Sequence, residues 1–345
     1  MRTNRRAKVS VVIPVYGVEK YIERCVRTLF GQTLDDMEFI FVNDCTPDCS
    51  IDLLCSVLEE FPQRKEQVRI INQPHNMGAA KAREVGIKAA TGEYIIHCDS
   101  DDWVDCDMYR QMYEKAKADN LDYVICRSVC YTDGINHTLI TDTISDNREQ
   151  FIEDMLHSET TVSLWSRLVK APAACYFRRL VKAATYQSDR IMIPCGHMME
   201  DRAYSIQIAY FSKSYGYVEG PLYYYFQHGD SVCGRKDEAS LVRNFKDAAE
   251  NMVVIEKFFK REGVYPRYSK ALCQAEFVVM GFLMPLLEKS NKYRNMWMNT
   301  FPKAVKAIWR SPMIGFSLKV KSFLIYTGIC PVIYRLKRII LVWQK

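Results

Sequence analysis

Four side chains in the first hundred or so residues have the chemistry to bind a nucleotide and a divalent cation. Tyr16, Asp44 and the pair Asp99 and Asp101 each follow a short apolar run. A planar aromatic ring suits a nucleobase, and two acids one residue apart offer the hard oxygen ligands that Mn²⁺ or Mg²⁺ prefers. The pattern therefore predicts a site for a nucleotide that carries a diphosphate and a metal ion.

The elements that must position these side chains alternate regularly along the first 130 residues. Apolar runs and helical periodicity predict five strands (9–15, 39–42, 68–71, 94–98 and 123–126) and four helices (19–30, 50–60, 78–90 and 108–118). This order predicts an α/β fold with a mostly parallel central sheet flanked by helices. Because the carboxyl ends of parallel strands meet at one edge of a sheet, we expect the four side chains to converge there.

The regularity ends after Tyr131. A polar connection, mixed helical segments to about residue 184 and a loop over 188–196 precede a helix that starts at Glu200 and Asp201. A strand over 223–226 follows, and the pattern from 239 onward is helical. We predict three parts: a nucleotide-binding α/β half (1–130), a second half with the Glu-Asp pair (131–235) and a C-terminal helical extension (236–345).

Composition limits the function classes. The net charge of +6 comes from 47 basic residues interleaved with 41 acidic ones, so no nucleic-acid partner is predicted. The 13 cysteines include no C-x-x-C, which indicates a reducing, cytoplasmic compartment. Cys45 with Cys49, and Cys126 with Cys130, are separated by three residues, and we interpret them as buried thiols rather than zinc ligands.

The phosphate-binding loops common in nucleotide-binding proteins are absent. The chain has neither G-x-x-x-x-G-K-[ST] nor G-x-G-x-x-G, so another group must hold the phosphates. A metal ion on Asp99 and Asp101 is the predicted substitute, because it would bridge two phosphates and stabilise a departing diphosphate. Taken alone, D-S-D-D is as often a turn or a helix cap as a metal site.

Several motifs in one order resemble the nucleotide-binding half of the family 2 glycosyltransferases. They are VVIPVYGVEKYIERCVRTLFGQT, EFIFVNDCTPDCS and NQPHNMGAAKAREVGIKAATGEYIIHCDSDDW. The resemblance is close over 9–103 and extends more loosely to about 231. It implies the GT-A fold and an enzyme that uses a nucleotide-sugar donor.

The resemblance assigns donor contacts to the first two strand ends. Pro14 and Tyr16 match a P-x-Y whose ring packs on the nucleobase, and Asp44 matches the acid that hydrogen-bonds uracil. The alternatives are a surface aromatic and a turn-forming aspartate. The family usually has glycine where Cys45 stands, so we expect that this position needs no positive φ.

The resemblance also assigns the diphosphate side. The stretch N-M-G-A-A-K-A-R ends at Arg83, which in the family approaches the donor nucleotide; the alternative is an ion pair with a neighbouring acid such as Glu84. Asp99 is expected to meet the ribose or the metal, and Asp101 to bind the metal directly.

The acceptor side carries two further matches. Trp165, with Arg167 and Leu168, resembles a W-x-K-L element, although plain core packing explains it equally well. Glu200 and Asp201 in M-M-E-D-R-A-Y match a Glu-Asp pair whose aspartate serves as general base in the family. The alternative is an acidic helix N-terminus favoured by the helix dipole.

The carboxyl end combines apolar and basic residues. The stretch 323–334 has no charged residue and is flanked by lysine and arginine, but it is too short to span a bilayer. A helix lying on an anionic membrane surface and a helix packed on the protein's own core are weighed about equally.

The sequence thus predicts an inverting, metal-dependent glycosyltransferase with Asp201 as base and Mn²⁺ or Mg²⁺ on Asp99 and Asp101. The donor is expected to be a UDP-sugar, and the acceptor a hydroxyl of a glycan or lipid-linked oligosaccharide for a bacterial capsule, lipopolysaccharide or similar polymer. The expected location is cytoplasmic, peripheral on the inner face of the cell membrane. A sugar-phosphate nucleotidyltransferase and a non-catalytic nucleotide-sugar-binding module are the alternatives.

Overall fold

A computed structural model describes residues 6–132, 138–140, 147–157, 177–228, 237–287 and 290–304, together with 309, 319–320, 323–324 and 326–329. These residues form a nine-stranded sheet with helices on both faces. This arrangement confirms the predicted α/β class.

The first half follows the predicted alternation closely. Its elements are β1 (Val9–Val15), α1 (Ile22–Phe30), β2 (Met37–Asn43), α2 (Ser50–Glu59), a 3₁₀ turn (Pro62–Gln67), β3 (Val68–Asn72), α3 (Ala79–Ala89), β4 (Tyr94–His97), β5 (Trp103–Val104) and α4 (Met108–Ala118). All four predicted helices and four of the five predicted strands are found here within a few residues, and the fifth predicted strand, 123–126, lies within a longer strand, Tyr123–Thr132. The sequence missed β5, because a strand of two residues shows no periodicity.

The second half departs further from its prediction. Its elements are β6 (Tyr123–Thr132), β7 (Thr138–Ile140), α5 (Arg148–His157), β8 (Arg179–Lys182), α6 (Ala183–Tyr186), α7 (Glu200–Phe211), β9 (Tyr215–Gln227), α8 (Glu238–Arg261), α9 (Tyr265–Val279), a 3₁₀ turn (Met280–Leu283), α10 (Met284–Leu287) and α11 (Asn291–Thr300). The prediction of helical segments up to residue 184 is wrong for β8. The four residues R-L-V-K form a strand because they pair with β4 on one side and β6 on the other.

The sheet order is β3-β2-β1-β4-β8-β6-β9-β5, with β7 paired to β6. Strands β3, β2, β1 and β4 are mutually parallel. Because β8 is antiparallel to both β4 and β6, strands β6 and β9 point the same way as the first four. Six of the nine strands in the described residues therefore share one direction, and their carboxyl ends share one edge.

The two faces of the sheet bury separate apolar cores. Val11 and Ile13 of β1 pack with α1, α2 and α4 on one face, whereas Val12 packs with α3 and the later helices on the other. This alternation is the period of two expected of a strand that is covered on both faces. His97 of β4 is completely buried, and its ring contacts Tyr186.

Helix α3 lies unusually close to the sheet. A Cβ atom at Gly86 would approach Val12 Cγ1 to 2.3 Å, so only glycine permits this contact. The helix starts after Gly78, whose φ of +89° is also strongly favourable only for glycine. Together these glycines fix where α3 begins and where Arg83, one turn later, enters the cleft.

Candidate active site

The carboxyl ends of β1, β2 and β4 bring the first predicted residues together. The Asp44 N–H donates to the Val15 carbonyl at 3.0 Å, and the Cys98 N–H donates to the Val12 carbonyl at 3.1 Å. These bonds hold the three strand ends side by side. The strand ends that precede Tyr16, Asp44 and Asp99 therefore lie at one edge of the sheet, as expected for parallel strands.

Asp44 is almost fully buried, with 3% of its surface exposed, and organises the loop between β3 and α3. Its carboxylate accepts hydrogen bonds from Gln73 Nε2 at 2.7 Å, the Met77 N–H at 2.7 Å and the Gly78 N–H at 2.8 Å. A carboxylate has about four acceptor positions. Three are occupied by this loop, which leaves Asp44 Oδ2 capacity for about one more N–H donor.

Cys45 corrects one expectation from the sequence. Its φ is +56°, so a positive φ is present at the position where the family usually has glycine. The side chain of Asn43 accepts the Thr46 N–H at 2.9 Å, which closes a tight turn around Cys45. This turn lies next to Asp44, whose carboxylate accepts the N–H groups of Met77 and Gly78.

Tyr16 lies at the mouth of this edge with 49% of its surface exposed. The next residue, Gly17, has a φ of +67° and donates its N–H to Thr46 Oγ1 at 2.8 Å. Pro14, half-buried in β1, precedes this bend. The tyrosine ring is therefore held on a fixed backbone with an open face available for stacking.

Arg83 bridges the two halves of the cleft. Its Nη2 lies 2.7 Å from Asp99 Oδ1, and its Nη1 lies 3.0 Å from Glu200 Oε1. Arg83 does not form the alternative ion pair with Glu84. Glu84 instead pairs with Lys81 and Lys88 of the same helix. The guanidinium instead joins the D-x-D turn to the start of α7.

Asp101 has a partner that the sequence analysis missed. Its Oδ2 lies 3.0 Å from Nε2 of His228, the residue that follows β9. The His228 side chain is 6% exposed and packs against Tyr21 and Phe226. Because β9 points the same way as β4, applying the strand-end rule to β9 would have found this histidine.

The donor set suits a hard divalent cation. The side chains of Asp99 and Asp101 are each 26% exposed, so both remain partly accessible. Within the described residues, no group of three or more His, Cys, Asp or Glu could by itself hold a metal ion. This arrangement fits Mg²⁺ or Mn²⁺, which often use one or two carboxylates and complete their shell with phosphate and water oxygens.

Asp201 occupies the first turn of α7. Met199, immediately before the helix, adopts a left-handed φ of +60°, which turns Glu200 and Asp201 back toward Arg83. Burial, assisted by the negative charge of Glu200, raises the pKa of Asp201 to about 7. Arg202, which also donates its N–H to Asp201 Oδ1 at 2.7 Å, opposes this rise. A carboxylate with such a pKa is well matched to general-base work near neutral pH.

The remaining predictions concern the tryptophan element of the acceptor side and the two cysteine pairs. Trp165, Arg167 and Leu168 lie outside the described residues. The prediction of buried thiols is wrong for Cys45 and Cys49, which are exposed, and holds for Cys126. Both exposed cysteines lie in the turn between β2 and α2, where no apolar neighbour covers them.

Comparison with known proteins agrees with this geometry. Residues 10–179 match the family described as Glycosyl transferase family 2. EpsH of Bacillus subtilis (strain 168), named as a glycosyltransferase, is 32% identical over 234 residues, which cover 66% of this chain and 63% of EpsH. The match therefore spans less than two thirds of that relative.

Solved structures share the fold at low identity. S. aureus TarS has a TM-score of 0.62 at 15% identity, covering 93% of this chain and 53% of TarS. TarS 1–349 in complex with UDP-GlcNAc has a TM-score of 0.54 at 16% identity, covering 96% of this chain and 92% of that one. The mannosyltransferase PcManGT from Pyrobaculum calidifontis, in complex with GDP-Man and Mn²⁺, has a TM-score of 0.50 at 14% identity, with 96% and 88% covered.

Proposed function

Because the chain belongs to glycosyl transferase family 2, we propose that it transfers a sugar, with inversion, from a UDP-linked donor to a hydroxyl of a glycan or lipid-linked oligosaccharide. The observation that carries the proposal is the Arg83 bridge. It places the D-x-D turn next to the helix start that holds Asp201. A donor site and a base in one cleft are what a single displacement requires.

The nucleobase would occupy the space between Tyr16 and Asp44. Tyr16 offers an exposed ring for stacking, at the end of a strand that Pro14 helps to fix. Asp44 retains one acceptor position on Oδ2, which suits the single imide N–H of uracil. The same fold holds UDP-GlcNAc in TarS. These features support a uridine nucleotide as donor.

The diphosphate would lie beside Asp99 and Asp101. These carboxylates would hold Mn²⁺ or Mg²⁺, and the chemistry supplied at such a site is neutralisation of charge on the leaving diphosphate. Asp99 would also meet the ribose, while its ion pair with Arg83 keeps one oxygen fixed. Arg83 adds a second positive charge close to the donor phosphates.

Asp201 would remove the proton from the acceptor hydroxyl as that oxygen attacks the anomeric carbon. With a pKa near 7, it is partly ionised at neutral pH and accepts a proton readily. Attack from the face opposite the diphosphate inverts the anomeric centre, and no carboxylate nucleophile is needed.

A bacterial surface polymer is the acceptor that we propose, with the protein in the cytoplasm at the inner face of the membrane. Exposed apolar side chains cluster near the carboxyl end: Trp309, Val320, Phe323, Tyr326 and Ile329. The rings of Trp309 and Phe323 contact each other, and Lys319 lies next in sequence to Val320. Aromatic and basic residues together favour binding to an anionic lipid surface. No helix in the described ranges is long and apolar enough to cross a bilayer.

A donor screen tests the proposed reaction. Purified protein is incubated with UDP- and GDP-sugars, with Mn²⁺ or with chelator, and binding is measured by calorimetry and released product by chromatography. We expect metal-dependent binding of a UDP-sugar and slow release of UDP, both reduced at least about a hundredfold in Asp101→Ala. Pyrophosphate release from UTP and a sugar phosphate would instead identify a nucleotidyltransferase. Binding without any release or transfer, across acceptors, would identify a binding module.

A flotation assay tests the membrane contact. Vesicles with about 30% phosphatidylglycerol should carry the protein upward, and the triple variant Trp309→Ser, Phe323→Ser, Tyr326→Ser should stay behind. Val253→Ser is the matched control, since Val253 is an exposed apolar residue on α8. Equal flotation of the wild type and the triple variant would reject the contact.

A further inference from the structure

Strand β9 is tied to the D-S-D-D turn from more than a hundred residues away. The Tyr223 hydroxyl donates to Asp102 Oδ2 at 2.6 Å and accepts the Asp99 N–H at 3.1 Å. It therefore joins the first and last residues of the turn. A backbone bond from the Asp102 N–H to the Asp99 carbonyl, at 3.1 Å, closes the same turn from within.

Asp102 is the buried member of this acidic turn. It is fully buried, and its second oxygen, Oδ1, accepts the Phe226 N–H from β9 at 2.7 Å. Asp102 therefore does not face the cleft as a ligand; it attaches the turn to β9.

The same strand also supports Asp101. Phe226 of β9 and Trp103 of β5 lie against the Arg24 guanidinium, at 4.5 Å and 3.8 Å from the ring centroids. Arg24 Nη2 in turn donates to the Asp101 carbonyl at 3.0 Å. Together with His228 on the Asp101 carboxylate, these contacts connect β9 to every acidic residue of the turn.

The ring of Tyr223 has little freedom to move. It is fully buried and stacks on Phe177, with ring centroids 4.3 Å apart and planes 17° apart. Three carboxyl groups within four residues repel one another when they are ionised, and this repulsion would spread the turn before a cation binds. A hydroxyl held by stacking opposes that spreading.

We propose that Tyr223 is a positioning residue, which acts through Asp102 and the Asp99 backbone to hold Asp99 and Asp101 ready for a divalent cation bound to a nucleoside diphosphate. The inference rests on the proposed function, since it concerns the same donor site. Its consequence is that the metal site depends on one hydroxyl that touches neither metal nor donor. Preorganisation of this kind improves affinity because less ordering remains to be done upon binding.

The test compares Tyr223→Phe with Tyr224→Phe. Tyr224 is the next residue, stacks on Trp103, and makes no hydroxyl hydrogen bond within the described residues. Calorimetry measures the affinity for UDP with Mn²⁺ and with chelator, and electron paramagnetic resonance measures Mn²⁺ binding itself. We expect Tyr223→Phe to weaken Mn²⁺-dependent UDP binding about tenfold while metal-free UDP binding changes less than about twofold. Tyr224→Phe should match the wild type.

Asp102→Asn provides the second variant, because it keeps the shape and one acceptor oxygen. It should weaken Mn²⁺ binding in the same direction, and it decides the matter if Tyr223→Phe does not fold. Wild-type Mn²⁺ affinity in the folded variants would overturn the positioning role. An equal loss of UDP binding with and without metal would also overturn it, since that indicates a general structural effect. If wild-type protein binds no nucleotide at all, the proposed function itself fails.

Discussion

Tyr16 and Asp44 come directly after parallel strands and Asp99 comes two residues after one, whereas Glu200 and Asp201 come at the start of a helix after a left-handed methionine. In the proposed donor half (1–130), each of these side chains is placed by the strand that precedes it. In the proposed acceptor half (131–235), Glu200 and Asp201 are placed by Met199 and by an ion pair between Glu200 and Arg83 of the donor half. One candidate site therefore combines side chains placed by strand ends with side chains placed by a helix start.

The acids of the two halves also differ in their surroundings. The Asp44 carboxylate accepts hydrogen bonds from three N–H donors of one loop. Asp201 is half-buried beside another acid, and burial together with the charge of Glu200 raises its pKa to about 7. The first arrangement suits permanent binding of a donor, and the second suits proton exchange.

The largest expected effect separates binding from chemistry. Asp201→Asn removes the proposed base but keeps the size of the side chain, so transfer should fall about a thousandfold while the affinity for UDP changes less than about twofold. Steady-state transfer assays and calorimetry measure the two quantities. A parallel loss of UDP affinity would break the comparison, because Asp201 would then serve the donor half as well.

A smaller effect is expected from Glu200, whose negative charge raises the pKa of Asp201. Transfer should rise with pH through about 7, since only the ionised Asp201 accepts a proton. Glu200→Gln removes the negative charge that raises the pKa of Asp201, so the acidic limb should move to lower pH by roughly half a unit or more. A pH–rate profile measures the shift.

Glu84→Gln is the control for that experiment. Glu84 is about as buried as Glu200 but pairs with Lys81 and Lys88 on α3. Its profile should match the wild type. If the two variants shift equally, the pH dependence does not come from the neighbour of Asp201.

The smallest effect concerns backbone strain, which occurs in both halves. Cys45 and Met199 both have positive φ, but Met199 is buried and Cys45 is exposed. Replacing Cys45 therefore changes the backbone strain without removing a buried side chain. Cys45→Val should lower the free energy of unfolding by about 1–2 kcal/mol, and Cys45→Gly should change it by less than about 1 kcal/mol. Urea denaturation measures both. Equal stability of the Val and Gly variants would show that the turn relaxes.

Much of the first half could be predicted from the sequence because its signals are local. Apolar runs predicted the buried strands 9–15 and 94–98, which the structure confirms to within one residue, and the residues that follow them lie at one edge of the sheet. The strand β8 was missed because its four residues become a strand only by pairing between β4 and β6. His228 was missed because the strand-end rule was applied only to the first five predicted strands, and the direction of β9 relative to β4 is set by pairing within the sheet.

The sequence by itself determined the alternation of strands and helices, the edge at which Tyr16, Asp44 and the D-x-D turn meet, and the family. These depend on periodicity and on residues close together in the chain. Only the tertiary structure decided that Arg83 bridges Asp99 and Glu200, and that Tyr223 holds the turn through Asp102. Such contacts join residues 117 and 121 positions apart, and their partners are chosen by how the sheet and helices pack.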